Sequence, residues 1–315
     1  MRVVSTFAGC GGSSLGYEQA GHEVVAAVEW DEHAAACYRL NHPDTPVLQR
    51  DITDVTGAEL LDAAGLSPGE VDMLDGSPPC QGFSSAGQRL LDDPRNALFR
   101  QHLRLLDELQ PRHAVIENVS GMVRGKMRVV AAEIVQALKD RGYAVAAGVL
   151  EAQYFGVAQR RPRVFFMASR EGQPELPRPR TRATAAGDAL RGVDPGEYPS
   201  TTPGTGVHYL AQHLRPGETG ADVRKRHGVD RPGEGKWFGS SMLHPRQPSH
   251  TIVKNGPTHV YHWTRRLISV REALVLTGFP VDYQLEGSHG KRWARVGNAV
   301  APPVARAVIE QLEIL

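Results

Sequence analysis

Through its first 170 residues the chain alternates short apolar runs with helix-like stretches, and no other feature constrains its fold as strongly. Runs at 3–7, 24–29, 47–50, 71–74, 114–116, 144–150 and 164–168 read as strands. Between them, 13–20, 31–41, 96–109 and 129–141 read as helices. Serines at 13 and 14 are placed to cap the first helix, Gly21 to close it, and Asp31 to cap the second. This alternation predicts an α/β fold: a Rossmann-like, doubly wound mixed sheet, mainly parallel, with ligands at the carboxyl ends of its strands. From Glu171 the texture changes to Pro, Gly, Thr and His. Residues 171–264 are therefore expected to form a smaller irregular domain. The last stretch, 265–315, is expected to rejoin 1–170, ending in an amphipathic helix opened by Pro302-Pro303.

Composition excludes more than it proposes. A formal net charge of +1 is not that of a globally basic nucleic-acid binder, although 36 Lys and Arg leave room for a local basic surface. No apolar run approaches the roughly 20 residues of a membrane-spanning helix. Cys10, Cys37 and Cys80 stand far apart with no Cys-x-x-Cys pair. That argues against a disulfide framework or a structural zinc site and fits a cytoplasmic protein. His244, His250, His259 and His262 have no cysteine beside them and read as solvated or ligand-facing, so no metal is expected.

The chemistry-bearing residues fall at strand ends. After the first strand comes Phe7-Ala8-Gly9-Cys10-Gly11-Gly12, a glycine turn into a helix. Ser14 occupies the third glycine position of a dinucleotide fingerprint, which counts against a nicotinamide-dependent oxidoreductase. Glu29-Trp30 follows the second strand, at the place for an acid that holds ribose hydroxyls, and Asp51-Ile52 follows the third. Together they describe a nucleoside pocket. After the fourth strand, Asp75-Gly76-Ser77-Pro78-Pro79-Cys80 puts a thiol on a mount stiffened by two prolines. Glu117-Asn118-Val119 follows the fifth; a carboxyl in such a crevice can be driven to its protonated, donating form. Gln159-Arg160-Arg161-Pro162-Arg163 leads into the seventh, where strand alternation sends Arg161 and Arg163 to one face.

In this order the motifs resemble those of the cytosine carbon-5 DNA methyltransferases, the enzymes of bacterial type II restriction-modification systems among them. The resemblance runs through residues 7–12, 78–81, 117–119 and 159–163. It continues through Arg271-Glu272-Ala273-Leu274 with Gly278-Phe279-Pro280, and ends at Val296-Gly297-Asn298-Ala299-Val300. It implies the S-adenosylmethionine-dependent methyltransferase fold, with S-adenosylmethionine as methyl donor and S-adenosylhomocysteine as product. Residues 1–170 and 265–315 would form the catalytic domain and 171–264 the target-recognition domain.

The resemblance also assigns roles. Cys80 is the nucleophile that adds to carbon 6 of a flipped-out cytosine, Glu117 holds the ring nitrogen and amine, and Arg163 holds the carbonyl oxygen with Arg161 in support. Phe7, Gly9, Cys10, Gly12, Glu29, Trp30, Asp51, Ile52 and Leu98 line the methyl-donor site, reached also by Asn298 and Val300. Gln81, Ser84, Arg89, Arg224, Lys225, Lys236 and Thr251 face double-stranded DNA. A monomer acting beside the nucleoid is expected, with a cognate restriction endonuclease as functional partner. Two rivals share these motifs: a tRNA cytosine-5 methyltransferase and a catalytically silent DNA-binding relative.

Overall fold

A computed structural model describes residues 1–79, 97–227, 239–256 and 259–315. Of the expected site residues, Cys80, Gln81, Ser84, Arg89 and Lys236 lie outside the described residues. The chain forms two compact units. The first comprises Met1–Glu151, Pro162–Arg178 and Val304–Leu315; the second comprises Ala152–Arg161 and Pro179–Pro303.

In the first unit β1 (Arg2–Thr6), α1 (Gly12–Gln19), β2 (Glu23–Val28), α2 (Glu32–Asn41) and β3 (Val47–Leu48) come in succession. They are followed by α3 (Gly57–Ala64), β4 (Met73–Gly76), α4 (Ala97–Leu109), β5 (His113–Val119), α5 (Arg128–Lys139), β6 (Ala144–Glu151) and β7 (Pro162–Ser169). The seven strands lie in the order β3-β2-β1-β4-β5-β7-β6. All neighbours from β3 to β5 are parallel, and β7 runs antiparallel to both β5 and β6. The fold class is thus the doubly wound mixed sheet expected from the sequence. Its strand order reverses between β1 and β4, and ligand crevices in such sheets open at that switch point. Thr6 pairs with Gly76, so the turns that leave β1 and β4 start level with one another.

Packing explains the order. Val4, Leu74, Ile116 and Phe166 of four strands share one buried cluster with Leu60, Leu105 and Ile134 of α3, α4 and α5. Each such side chain contributes roughly 1.5–3 kcal/mol by leaving water. Asp31 caps α2 as expected, accepting from Ala34 N–H over 2.9 Å. The serines of α1 do not cap it: its N-cap is Gly11, in the left-handed region at φ 91°, and no side chain bonds there. Helix α3 was not foreseen.

The second unit carries α6 (Ala186–Ala189), α7 (Gly206–His213), α8 (Gly220–His227), β8 (Ser241–Met242), β9 (Val260–Tyr261), α9 (Val270–Thr277) and α10 (His289–Asn298). Its small core gathers Leu210, Leu214, Val223, Met242, Tyr261 and Leu267. Among its described residues, the stretch expected to be irregular therefore holds three helices and a parallel strand pair. A boundary near 264 was expected, yet 265–303 belongs with this unit, because α9 packs on α6 and α10. The last helix, α11 (Pro302–Leu312), belongs to the first unit from Val304 onward. Among the described residues no helix is long and apolar enough to cross a membrane.

Candidate active site

At the end of β1 the backbone turns sharply. Phe7, Gly9 and Gly11 all have positive φ, at 54°, 60° and 91°. A Cβ at Gly9 would meet nothing within 4 Å, so the turn presents bare backbone to open space. Glu29, at the end of β2, braces it: one carboxylate oxygen accepts from Gly9 N–H and the other from Asp31 N–H, each over 2.8 Å. Trp30 beside it is 72% exposed and offers a stacking face.

Other expected pocket residues divide. Asp51 lies three residues past β3; the N–H and hydroxyl of Thr53 hold its carboxyl below the usual range. Ile52 is buried in the core cluster and its carbonyl accepts from Arg104, so it serves the core rather than presenting a free face. Leu98 packs partly buried against the same cluster, and Cys10 is buried in the turn. Asn298 and Val300 lie at the end of α10 in the second unit, Asn298 exposed and Val300 buried.

Glu117 and Arg163 come together as an ion pair. Glu117 is buried near the end of β5, and Arg163 stands near the start of its antiparallel neighbour β7. Arg163 Nε lies 3.1 Å from Glu117 Oε1, with both side chains largely buried, so the two charges neutralise each other here. Asn118, which sequence reasoning gave no role, donates from Nδ2 to the carbonyl of Pro78 over 2.9 Å. It thereby ties the end of β5 to the segment two residues before Cys80. A polar amide two residues beyond the apolar run 114–116 was the signal that could have found it.

Arg161 is a correction. It was expected to share a face with Arg163, but β7 begins at Pro162 and the alternation does not reach back to it. Its guanidinium is 1% exposed and turned into the second unit. There it donates to the carbonyls of Ile252, Gly297 and Ala299 over 3.0, 2.9 and 2.7 Å. A group so occupied is a staple, not a ligand of the base. In the same unit Thr251 is half-buried, with its hydroxyl on the carbonyl of Arg160. Arg224 and Lys225 stand in the basic last turn of α8, where Arg226 is bonded to Glu218 and to the His213 carbonyl. Among the described residues no cluster of His, Cys, Asp or Glu could hold a metal.

Residues 1–313 match the family of C-5 cytosine-specific DNA methylases. The chain belongs to that family. Among curated relatives, it is 31% identical over 357 residues to the type II methyltransferase M.XorII of Xanthomonas oryzae pv. oryzae, covering 98% of this chain and 84% of that one. It is 32% identical over 328 residues to the type II methyltransferase M1.HphI of Haemophilus parahaemolyticus, covering 98% and 86%. Among solved structures, it is similar to a protein encoded within an E. coli prophage and described as a candidate DNA modification methyltransferase. That similarity has TM-score 0.75 and 24% identity, over 100% of this chain and 99% of the other, and supports the fold alone. The protein is thus a DNA cytosine-5 methyltransferase by family. The silent-relative and tRNA readings lose their ground, since the match is to DNA methylases across nearly the whole chain.

Proposed function

We propose that this methylase uses S-adenosylmethionine to methylate carbon 5 of a flipped-out cytosine through a covalent bond to Cys80. The observation that carries the reading is the buried Glu117–Arg163 pair at strand ends, joined through Asn118 to the backbone that leads to Cys80. The methyl donor fits the residues present. The open glycine turn suits close approach of its methionine end, Glu29 suits ribose hydroxyls, and Trp30 offers a face for the purine. S-adenosylmethionine supplies an electrophilic methyl group on a sulfonium.

The protein's own part is to make carbon 5 nucleophilic. The Cys80 thiolate adds to carbon 6, and the ring becomes an enamine whose carbon 5 can take the methyl. Glu117 holds ring nitrogen 3 and the exocyclic amine, and Arg163 donates to the carbonyl oxygen where charge develops. Loss of the carbon-5 proton to a base then expels the thiolate and restores the ring. The target must leave the duplex for any of this to occur. Residues of the second unit, with Arg224, Lys225 and Thr251 among them, read the duplex, Gln81 and Ser84 fill the space the base vacates, and Arg89 meets a phosphate. The enzyme acts as a cytoplasmic monomer at the nucleoid and protects a short site from a cognate endonuclease, as the type II names of its relatives suggest.

The test is transfer of labelled methyl from S-adenosylmethionine to duplex DNA, with tRNA as the parallel substrate. Label in DNA alone, lost in Cys80→Ala, is expected. A covalent adduct with 5-fluorocytosine DNA should form in the wild type and vanish in the same variant. Transfer that survives Cys80→Ala would sink the covalent route, and label in tRNA alone would overturn the DNA substrate.

A further inference from the structure

Beneath the glycine turn lies a polar cluster that the transfer chemistry leaves unused. Asp75, in β4, is 2% exposed and pairs in register with Ser5 of β1. Three hydroxyls converge on its carboxylate. Ser5 Oγ and Ser13 Oγ donate to Oδ2 over 3.1 and 2.9 Å, and Tyr17 OH donates to Oδ1 over 2.7 Å. Its carbonyl accepts from Thr6 Oγ1 over 2.9 Å, and Thr6 Oγ1 lies 3.1 Å from His102 Nδ1 of α4. The fit is close: a Cβ on the next residue, Gly76, would come within 2.6 Å of both His102 and Thr6. From β5, Glu117 adds a further negative field.

A packed sheet does not need this arrangement. A buried charge costs stability unless its lone pairs are filled, and an apolar side chain at β4 would serve packing as well. What the cluster does is fix geometry. Ser13 and Tyr17 stand in the first two turns of α1, whose N-terminus has no side-chain cap of its own. Through them one carboxylate ties α1 to β1 and β4, the elements on either side of the Phe7–Gly12 turn.

We propose that Asp75 is a positioning residue for the methyl-donor turn, its carboxylate clamping α1 to β1 and β4 so that the turn keeps the shape that receives S-adenosylmethionine. This rests on the methyl-donor reading above. Protonation turns one acceptor oxygen into a donor and removes the charge, so one hydroxyl must turn round to accept and the remaining bonds lose their charge assistance. Burial pushes the Asp75 carboxyl up to about 6, against the pull of the three hydroxyls, while burial pushes His102 down to about 4 and keeps it neutral. The clamp therefore slackens in mildly acidic solution.

The experiment is calorimetric titration of S-adenosylhomocysteine into the full chain, for wild type, Asp75→Val, Asp75→Asn and Tyr17→Phe, from about pH 5.5 to 8. Asp75→Val should weaken binding by about tenfold or more, and Asp75→Asn, which keeps one acceptor oxygen, by about threefold. The wild-type Kd should rise below about pH 6, and the Asp75→Asn Kd should stay level there. Should Asp75→Val fail to fold, Asp75→Asn and Tyr17→Phe still carry the test. Folded variants that bind within about twofold of wild type, with the acid weakening retained in Asp75→Asn, overturn the proposal. A wild type that binds no S-adenosylhomocysteine overturns the methyl-donor reading and this inference with it, a result distinct from equal binding by all four.

Discussion

Each unit holds a deeply buried charged side chain whose bonds described above run to uncharged groups, and the two solutions differ. Asp75 in the first unit is an anion satisfied by three side-chain hydroxyls. Arg161 in the second is a cation satisfied by three backbone carbonyls. Hydroxyls rotate, and a carboxylate can take a proton; backbone carbonyls are fixed, and a guanidinium does not lose its charge in proteins. The first device is adjustable and the second is permanent. The adjustable one lies under the turn that would hold a ligand. The permanent one joins the 159–161 segment to residues 252 and 297–299, where the chain closes on itself.

The largest effect should come from breaking the permanent device. Arg161→Met leaves three buried carbonyls without their donor, and each unsatisfied group costs roughly 1–3 kcal/mol. A loss of about 4 kcal/mol or more is expected, a large share of an ordinary domain's stability. Denaturant unfolding, with proteolysis to locate the weakened part, checks it. Arg161→Lys should recover only a fraction, because an ammonium cannot span three acceptors held in a fork. A near-neutral Arg161→Met would mean that the staple is dispensable.

Arg163, two residues on, should behave in the opposite sense. Arg163→Ala removes the partner of Glu117, and on the proposed chemistry it should lower the methyl-transfer rate by roughly 10²–10³. Its effect on unfolding should be well below that of Arg161→Met, since Arg163 is bonded to one carboxylate and one carbonyl. The ratio of rate loss to stability loss in the two variants separates a group that meets substrate from one that meets backbone.

Breaking the adjustable device should give a smaller effect that depends on pH. Asp75 stands at about 6, above the ordinary carboxylate value of 3.8, because burial opposes its charge. Between about pH 4 and 6 the folded chain holds a proton that the unfolded chain has released. Its contribution to stability is therefore full below that window, falls as pH rises through it, and is constant above. The shift corresponds to on the order of 3 kcal/mol. Asp75→Asn cannot titrate, so its stability relative to wild type should climb by up to about 3 kcal/mol from pH 4 to 7. Carboxylates held low, such as Asp51 and Asp72, bend both curves the other way and cancel in the difference. A level difference would show that Asp75 has no raised affinity for a proton.

These residues also mark where the sequence was legible. The sheet was readable because its strands are apolar and buried; Glu29 and Glu117 drew attention because they follow apolar runs, and Arg163 because it leads into one. Asp75 was hidden by the same rule: a charge after Leu74 reads as the end of a strand, yet β4 continues to Gly76. Ser13 and Ser14 read as caps, but Ser13 found a buried carboxylate and Ser14 the Tyr38 hydroxyl. Local capping lost to tertiary bonds that no window of neighbours contains. Arg161 misled for a related reason, since a period of two holds only within the strand. Helix α3 was missed although Thr56 and Glu59 stand at capping-box spacing before it.

That capping box has a counterpart in the second unit, and the pair gives the smallest and cleanest comparison. Thr56 and Glu59 exchange bonds at the exposed start of α3: Glu59 N–H donates to Thr56 Oγ1 over 3.2 Å, and Thr56 N–H to Glu59 Oε2 over 2.9 Å. Ser269 and Glu272 do the same at α9, over 3.1 and 2.9 Å, but with Ser269 fully buried and Glu272 also gripped by Arg266. Thr56→Ala should cost about 1 kcal/mol, because water can replace the lost oxygen. Ser269→Ala should cost about 2 kcal/mol, because the Glu272 N–H is left in a dry interior. Urea unfolding of the two single variants measures both. If the losses prove equal, burial does not set the value of a lost acceptor in this chain, and the large effect expected of Arg161→Met would have to shrink with it.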